Sequence, residues 1–202
     1  MTITTPFLFL RHGETAWNRE GRVQGQHDAP LNDTGRAQAV AAAAALSGRR
    51  IDRIVSSPLS RVRDTAAAIV AQRGTEISFD PDLMEAHLGA HQTTMQNGFL
   101  DAYWRGEYDP PGGETFADFT ERVWAAMTRA VALGPNTLIV AHGGLWRAAK
   151  AKVRIEPDFR MPNAIPIAVR PGETGWRVDP LLPIPPEALA SSQGNDGGGG
   201  AV

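Results

Sequence analysis

Arg11 and His12 stand where residues of their types could act on an anion. They directly follow the apolar run 7–10, and Gly13 comes next. A histidine between an arginine and a glycine at the end of a buried strand can meet an anion closely, because the glycine lets the backbone approach and the guanidinium offers a planar set of donors. The pattern predicts a phosphate site at this strand end.

Arg61 is a second candidate, because it follows another apolar run that begins at Ile51. We predict that Ser57 is the N-cap of a helix, that Pro58 occupies the first turn, and that Arg61 lies one turn in. This layout would place a second guanidinium at a strand end.

His142 and Glu85 complete the set of candidates. His142 follows the apolar run 138–141 and precedes Gly143, which opens a predicted helix whose N-terminus favours negative charge. Glu85 is a carboxylate in largely apolar company within residues 83–89. A general acid for a phosphoryl reaction could come from such a position.

Together these segments resemble the histidine phosphatase superfamily, the phosphoglycerate mutase-like proteins. The resemblance rests on three runs in a fixed order: Arg-His-Gly-Glu-Thr-x-Trp-Asn from Arg11, Ser-Ser-Pro-Leu-x-Arg ending at Arg61, and Ala-His-Gly-Gly around His142. Each run follows a strand-like segment, and the match extends from about Pro6 to about Pro180. The resemblance therefore covers nearly the whole chain.

The resemblance implies a role for each candidate. His12 would be the nucleophile that becomes a phosphohistidine, for which it must be neutral with one ring nitrogen bare. Arg11, Arg61 and His142 would surround the transferring group and balance its charge. Glu85 would protonate the leaving group. The substrate would also be bound by polar groups at three further positions: Asn18, Gln24 and Gly143.

The segment after Glu85 departs from the family. Many phosphatase members carry Gly-x-Trp-Glu-Gly here, whereas this chain reads Gly-Ala-His-Gln-Thr-Thr over 89–94. Mutase-type relatives have an arginine at the position of Ala86 and a long insertion with paired arginines, whereas Arg105 is the only lysine or arginine between Glu85 and Pro110. We therefore favour metal-independent hydrolysis of a phosphorylated small molecule, with a phosphoglycerate mutase as the alternative.

A third hypothesis is a catalytically idle member of the family, whose anion pocket binds a phosphorylated ligand. The altered run 90–93 keeps this hypothesis open, while the complete set of five candidate residues counts against it. The sequence sets no oligomeric state.

A metal site is the alternative for His87 and His91. Their spacing of four would suit a metal if both lay on a helix, but Gly89 interrupts such a helix and no glutamate follows His87 as in the zinc-protease signature. The resemblance implies a reaction without a metal, so we expect no metal and no cofactor.

Composition excludes several other classes. The 202 residues carry a net charge of -2, which gives no bulk attraction to nucleic acid or to an anionic membrane. There are no cysteines, so disulfides and a cysteine nucleophile are excluded. The chain begins without a basic signal region and has no apolar run of bilayer length, so we expect a cytoplasmic enzyme.

The elements that must position these residues alternate along the chain. Predicted strands at about 6–10, 51–55, 137–141 and 165–169 alternate with predicted helices at about 33–47, 58–72, 114–133 and 143–153. This pattern predicts an α/β fold, a three-layer α/β/α sandwich with a mostly parallel central sheet. We expect a single domain over 1–186 and a Gly/Ser-rich disordered tail over 187–202.

Overall fold

A seven-stranded sheet runs through the part of the chain that the computed structural model describes, which is residues 2–95 and 98–189. Its strands are β1 (Phe7–Arg11), β2 (Arg53–Ser56), β3 (Ile77–Phe79), β4 (Thr137–Ala141), β5 (Ile155–Glu156), β6 (Ile167–Gly172) and β7 (Gly175–Pro180). Across the sheet they are ordered β3-β2-β4-β1-β6-β7-β5. Only β6 is antiparallel to its neighbours, β1 and β7. The prediction of a mostly parallel sheet is confirmed.

Helices fill most connections between the strands. In the described residues they are α1 (Ala16–Glu20), α2 (Asp33–Leu46), α3 (Ser60–Val70), α4 (Phe99–Trp104), α5 (Phe116–Ala132), α6 (Gly143–Lys152) and α7 (Pro186–Leu189). Two short 3-10 turns, Pro81–Leu83 and Gly89–His91, lie between β3 and α4. All predicted strands and helices are present with ends shifted by a few residues, and the structure adds shorter ones.

The helices form two layers because side chains alternate along the strands. Phe7 and Phe9 of β1 enter a core shared with α5 and α6. Leu8 and Leu10 enter a second core, on the other face, shared with α2 and α3. A strand that alternates in this way and is apolar throughout is buried on both faces. The predicted three-layer α/β/α sandwich is confirmed.

The start of α3 differs from the prediction. Leu59 occupies the N-cap position with extended backbone, φ -65° and ψ 140°, and no side chain caps the helix there. Ser57 is not the N-cap, because its hydroxyl lies 2.9 Å from Nε2 of His142 and accepts the N–H of Leu59 at 3.4 Å. Pro58 therefore precedes the helix, and Arg61 is its second residue.

The predicted boundary of the disordered tail at residue 187 is also wrong. The helix α7 continues to Leu189, and Ala188 is only 5% exposed. The carbonyl of Ala188 accepts the N–H of Arg160 at 3.0 Å, so this turn is held against the domain. The rest of the predicted tail, 190–202, lies outside the described residues.

None of the helices within residues 2–95 and 98–189 combines the length and the apolar character needed to cross a bilayer.

Candidate active site

The predicted residues converge at the carboxyl ends of neighbouring parallel strands. Arg11 ends β1, and His12 follows it; His142 follows β4, and Arg61 comes after β2. Because β2, β4 and β1 lie side by side in the same direction, the segments after them meet at one edge of the sheet. Glu85 reaches this edge from the connection between β3 and α4. Here Arg11, His12, Arg61 and Glu85 line a cavity of about 520 Å³.

The His12 ring is buried and holds a defined tautomer. Its Nδ1 lies 2.7 Å from the carbonyl oxygen of Gly13, and because a carbonyl only accepts, Nδ1 carries the proton. Burial lowers the pKa of His12 well below its usual value, and the positive charges of Arg61 and Arg11 lower it further. The ring is therefore neutral at pH 7 with Nε2 bare, as a nucleophile requires.

Backbone carbonyls fix Arg11 and Arg61 in the cavity wall. Nη1 of Arg11 donates to the carbonyl of Met161 at 2.8 Å. Nη1 and Nη2 of Arg61 donate to the carbonyls of His27 and Gly25 at 2.9 and 2.8 Å. Burial lowers the pKa of each guanidinium to about 10, so both stay charged at neutral pH. The Nε atom of each is buried and has no hydrogen-bond partner among the described residues.

His142 lies against His12 and does not line the cavity. It is fully buried, and the two ring centroids are 5.3 Å apart with the planes at 64°. Its Nε2 contacts Ser57 Oγ, whereas Nδ1 has no hydrogen-bond partner in the described part of the chain. Burial, followed by the charge of Arg61, lowers the pKa of His142 well below its usual value. The predicted contact of His142 with substrate stays a prediction.

Glu85 is held at the N-terminus of α6. Its Oε2 accepts the N–H of Gly144 and its Oε1 accepts the N–H of Ala86, both at 3.1 Å. The first turn of a helix offers unpaired N–H groups for such contacts. A Cβ on residue 144 would lie 2.0 Å from Oε1 of Glu85, so this close approach requires glycine. Backbone donors therefore fix a side chain whose sequence neighbours are mostly apolar.

Asn18 and Gln24 line the cavity and are linked through Thr15. Thr15 is the N-cap of α1, and Oδ1 of Asn18 accepts its N–H at 3.2 Å, which completes a capping box. The Thr15 hydroxyl also donates to Oε1 of Gln24 at 3.1 Å. Because the amide oxygens are used in this way, the NH₂ groups are left to donate to a ligand. Their predicted substrate-binding roles stay predictions that this geometry supports.

Gly13 and Gly143, which follow the two histidines, allow neighbouring groups to pack closely against the backbone. Gly143 lines the cavity, and a Cβ there would lie 3.3 Å from Nε of Arg11, so glycine lets this guanidinium lie across the start of α6. At Gly13 a Cβ would lie 2.4 Å from the carbonyl oxygen of Gly35. The sequence assigns Gly13 to ligand approach, but the structure shows that it lets the loop after β1 pack against α2.

Arg122 and Glu114 position the segment that carries Glu85, and the sequence analysis missed this pair. Their side chains form an ion pair at 2.5 Å, and each is about one-fifth exposed. Arg122 donates to the carbonyls of Asp82 and Glu85 at 2.7 and 3.3 Å, and Glu114 accepts the N–H of His87 at 2.9 Å. The contacts of Arg122 join α5 to a segment about 40 residues earlier, which no local pattern could reveal.

The altered run 90–94 supports the site without lining the cavity. Oε1 of Gln92 accepts the N–H of Gln26 at 2.7 Å, and it would lie 2.6 Å from a Cβ on Gly25. The carbonyl of Gly25 receives Nη2 of Arg61. This run therefore contacts the loop 24–26, which in turn holds the guanidinium of Arg61.

His87 and His91 do not share a helix. Gly89 between them adopts a positive φ of 50°, and only a three-residue 3-10 turn forms there. His91 stacks on Phe99 with ring centroids 4.0 Å apart, and its Nε2 lies 2.7 Å from the hydroxyl of Tyr108. No group of three or more His, Cys, Asp or Glu side chains in the described ranges could hold a metal ion. The absence of a metal from the reaction stays a prediction.

The fold and the site together define a class of protein. An α/β sandwich with two histidines and two arginines gathered at the carboxyl edge of its sheet is the phosphoglycerate mutase-like arrangement. Residues 7–180 match the histidine phosphatase superfamily (branch 1). The chain belongs to this superfamily, as the motifs predict.

Individual relatives include both phosphatases and mutases. The chain is 40% identical over 162 residues to a glucosyl-3-phosphoglycerate phosphatase from Mycolicibacterium vanbaalenii, covering 71% of this chain and 72% of the relative. The structure of a mycobacterial glucosyl-3-phosphoglycerate phosphatase complexed with VO3 superposes with a TM-score of 0.72 and 31% identity, over 87% of this chain and 98% of that chain. A phosphoglycerate mutase from Thermus thermophilus superposes with a TM-score of 0.73 and 32% identity, over 89% and 100% of the two chains.

Proposed function

We propose that this protein hydrolyses the phosphate monoester of a small phosphorylated metabolite by way of a phosphohistidine at His12. Membership of the histidine phosphatase superfamily supports the chemistry. The similarity to a glucosyl-3-phosphoglycerate phosphatase supports hydrolysis over phosphoryl relocation.

A group of buried nitrogen atoms near His12 carries the proposal. Nε of Arg11, Nε of Arg61 and Nδ1 of His142 are buried and have no partner in residues 2–95 and 98–189. Buried polar groups in proteins are nearly always hydrogen-bonded, so three such atoms near one bare imidazole nitrogen indicate a polar ligand. Because two of them belong to cations, the ligand is an anion.

In the first step Nε2 of His12 attacks phosphorus, and the bond from phosphorus to the leaving oxygen breaks. Arg11 and Arg61 balance the charge on the phosphoryl oxygens, which is the largest expected contribution to the rate. Glu85 in its acid form gives a proton to the leaving oxygen, so that an alcohol departs. The Gly13 carbonyl, which accepts Nδ1–H, stabilises the positive charge that the ring gains.

In the second step a water molecule attacks the phosphohistidine. Glu85, now a carboxylate, takes a proton from this water, and the phosphorus–nitrogen bond breaks with its electron pair returning to Nε2 of His12. His142 would donate Nδ1–H to a phosphoryl oxygen in both steps if the hydroxyl of Ser57 donates to its Nε2. Inorganic phosphate is released, and the neutral ring is restored.

Phosphate release by the native chain and by His12→Ala tests this proposal. The substrates are p-nitrophenyl phosphate and a panel of phosphorylated metabolites, and a chelator is present throughout. We expect the variant to lose activity by about a thousandfold or more, since it lacks the nucleophile. His87→Ala is the matched control, because His87 does not line the cavity. Phosphate release that survives in His12→Ala would contradict the proposal.

A phosphoglycerate mutase is the second candidate function, because a solved mutase structure superposes on 89% of the chain. A mutase would convert 3-phosphoglycerate to 2-phosphoglycerate without releasing phosphate. Phosphorus NMR of 3-phosphoglycerate incubated with the protein separates the two reactions. A catalytically idle binding member would leave the spectrum unchanged.

Metal independence and a cytoplasmic location are also proposed. Arg11 and Arg61 supply the positive charge that a metal ion provides in other phosphoryl-transfer enzymes. Activity should therefore survive exhaustive chelation, and a loss that added metal restores would contradict this proposal. Cell fractionation tests the location.

A further inference from the structure

The side chain of Ser57 is buried beside His142 in the candidate site. Its hydroxyl oxygen lies 2.9 Å from Nε2 of His142, and both residues are fully buried. At this distance the two atoms share one hydrogen bond, and its proton belongs either to the ring or to the hydroxyl. The donor of this bond decides which tautomer His142 adopts, and therefore whether Nδ1 can donate to a ligand.

Backbone hydrogen bonds hold Ser57 in this position. Its N–H donates at 3.1 Å to the carbonyl of Val140, which lies two residues before His142. Its carbonyl accepts the hydroxyl of Ser56 at 3.0 Å. Because Ser56 of β2 and Val140 of β4 are paired in the sheet, the segments that follow these strands leave side by side. The sheet therefore fixes Ser57 against His142.

The hydroxyl proton of Ser57 has a single acceptor among the described residues. Oγ accepts the N–H of Leu59 at 3.4 Å, so this contact uses a lone pair and leaves the proton free. No other acceptor for the hydroxyl lies within residues 2–95 and 98–189, which leaves Nε2 of His142. If the ring donated instead, a buried O–H would have no partner, and buried polar groups are nearly always hydrogen-bonded.

The other ring nitrogen of His142 supports the same assignment. The ring is neutral and carries one proton, because burial, followed by the charge of Arg61, lowers the pKa of His142. Nδ1 is buried and has no hydrogen-bond partner in the described part of the chain, as is also true of Nε of Arg11 and of Arg61. An anion held by the two arginines needs a proton on Nδ1, since a bare nitrogen would turn a lone pair toward it.

We propose that Ser57 is a positioning residue, whose hydroxyl donates to Nε2 of His142 and so fixes the tautomer with its proton on Nδ1. His142 then offers Nδ1–H to a phosphoryl oxygen, and in this respect the inference rests on the proposed function. The hydrogen bonds run in one direction, from the N–H of Leu59 through the Ser57 hydroxyl to the ring, so that each strengthens the next. Ser57 itself does not line the cavity, and it acts only through His142.

Nitrogen-15 NMR of the imidazole rings tests the tautomer directly. Long-range proton–nitrogen spectra distinguish a protonated ring nitrogen from a bare one, and His142→Gln identifies the His142 signals among the five histidines. In the native chain at pH 7 we expect Nδ1 to be protonated and Nε2 to be bare. In Ser57→Ala we expect a population with the proton on Nε2, whereas Ser57→Thr keeps a hydroxyl and should keep the native pattern.

Two NMR results would overturn the inference. One is a native ring that carries its proton on Nε2; the other is an unchanged tautomer in Ser57→Ala. The spectrum of the native chain decides the first point even if the alanine variant does not fold.

The kinetic test uses p-nitrophenyl phosphate. We expect Ser57→Ala to lower kcat about tenfold or more with little change in KM, because a hydrogen bond to the transferring group is lost from part of the molecules. Ser57→Thr should restore most of kcat. Ser56→Ala is the matched control, because Ser56 is equally buried but donates to a backbone carbonyl and not to His142. An equal loss of kcat in Ser56→Ala and Ser57→Ala would assign the effect to packing and overturn the positioning role.

The NMR measurement separates this inference from the proposed function, because it needs no turnover. If no chain releases phosphate but Ser57→Ala moves the proton of His142 from Nδ1 to Nε2, the proposed hydrolysis fails and the control of the tautomer by Ser57 stands. If phosphate is released and the native ring carries its proton on Nε2, the hydrolysis stands and the role of Ser57 fails.

Discussion

Burial and two nearby positive charges lower the pKa of the His12 ring, and the hydrogen bond to the Gly13 carbonyl partly opposes them. Burial and the charges of Arg11 and Arg61 disfavour the protonated ring, and the Gly13 carbonyl holds the one proton on Nδ1. Nε2 of His12, the nitrogen proposed as nucleophile, is therefore available well below the pH at which an exposed histidine would be protonated. His142 shares this burial, so two histidines stay neutral in the folded protein.

The stability of the protein should consequently fall as the pH drops below about 6.5. In that window the unfolded chain binds protons at His12 and His142, whereas the folded chain does not, because the folded pKa values are lower. The free energy of unfolding then decreases by about 1.4 kcal/mol per pH unit for each histidine until the folded pKa is reached. Urea denaturation from pH 7 to pH 5 measures this slope. His142→Gln should remove one histidine's share, and an unchanged slope would contradict the prediction.

Glu85→Gln should affect substrates according to their leaving groups. We expect kcat to fall about 10²- to 10⁴-fold on an alkyl phosphate such as glycerol 3-phosphate, whose oxygen must be protonated as it leaves. The rate of the phosphorylation step should fall less on p-nitrophenyl phosphate than on the alkyl phosphate. Phosphoenzyme should accumulate in the Glu85→Gln variant. Rapid-quench measurement of both substrates tests this, with the exposed Glu107→Gln as control. Equal phosphorylation rates in native and variant chains on the alkyl substrate would remove Glu85 from the mechanism.

Among the elements, the start of α6 holds the site together. His142 stands at its N-cap position, Gly143 faces Arg11, and the N–H of Gly144 binds Glu85. One helix end therefore contacts or carries three residues of the candidate site: His142, Arg11 and Glu85.

Gly144→Ala should therefore damage catalysis more than stability. The added Cβ would lie 2.0 Å from Oε1 of Glu85, so this carboxylate must move. We expect kcat to fall about tenfold or more, because small displacements of a reacting group are costly. Gly48→Ala is the matched control, since a Cβ there meets nothing within 4 Å. Equal kcat values in the two variants would show that the position of Glu85 does not matter.

At the scale of the whole molecule, the two cores lie on opposite faces of one sheet. The core with α2 and α3 includes Leu46, which is fully buried, and the other core approaches the cavity through Trp146. A defect in the α2 and α3 core should lower stability without changing the site.

Leu46→Ala should lower the free energy of unfolding by about 2–5 kcal/mol, because it removes buried methyl groups and leaves a cavity. Val40→Ala on the same helix should change it by less than about 0.5 kcal/mol, since Val40 is 59% exposed. Denaturant titration measures both values. We expect kcat of the folded Leu46→Ala protein to match that of the native chain, and a large loss would contradict the separation of core and site.

The sequence predicts what local patterns encode. Apolar runs located the strands β1, β2, β4 and β6, and the motifs at their ends located His12 and His142. Short or polar strands such as β3 and β7 lack a pattern strong enough to predict. The clamp of Arg122 on the Glu85 segment also escaped, because it depends on contacts between distant segments. The start of α3 was misplaced because the Ser57 hydroxyl contacts His142, a partner 85 residues away.

The hydrogen bond from His12 to Gly13 would also determine which isomer the proposed phosphohistidine takes. With Nδ1 occupied by its proton, the phosphoramidate bond would form at Nε2, which gives tele-phosphohistidine and not the pros isomer. A phosphoramidate is hydrolysed rapidly in acid, so the intermediate has to be captured at neutral or alkaline pH. The carbonyl next to the proposed nucleophile would thus set the chemical identity of the trapped species, while the phosphoramidate bond itself sets the pH at which it can be isolated.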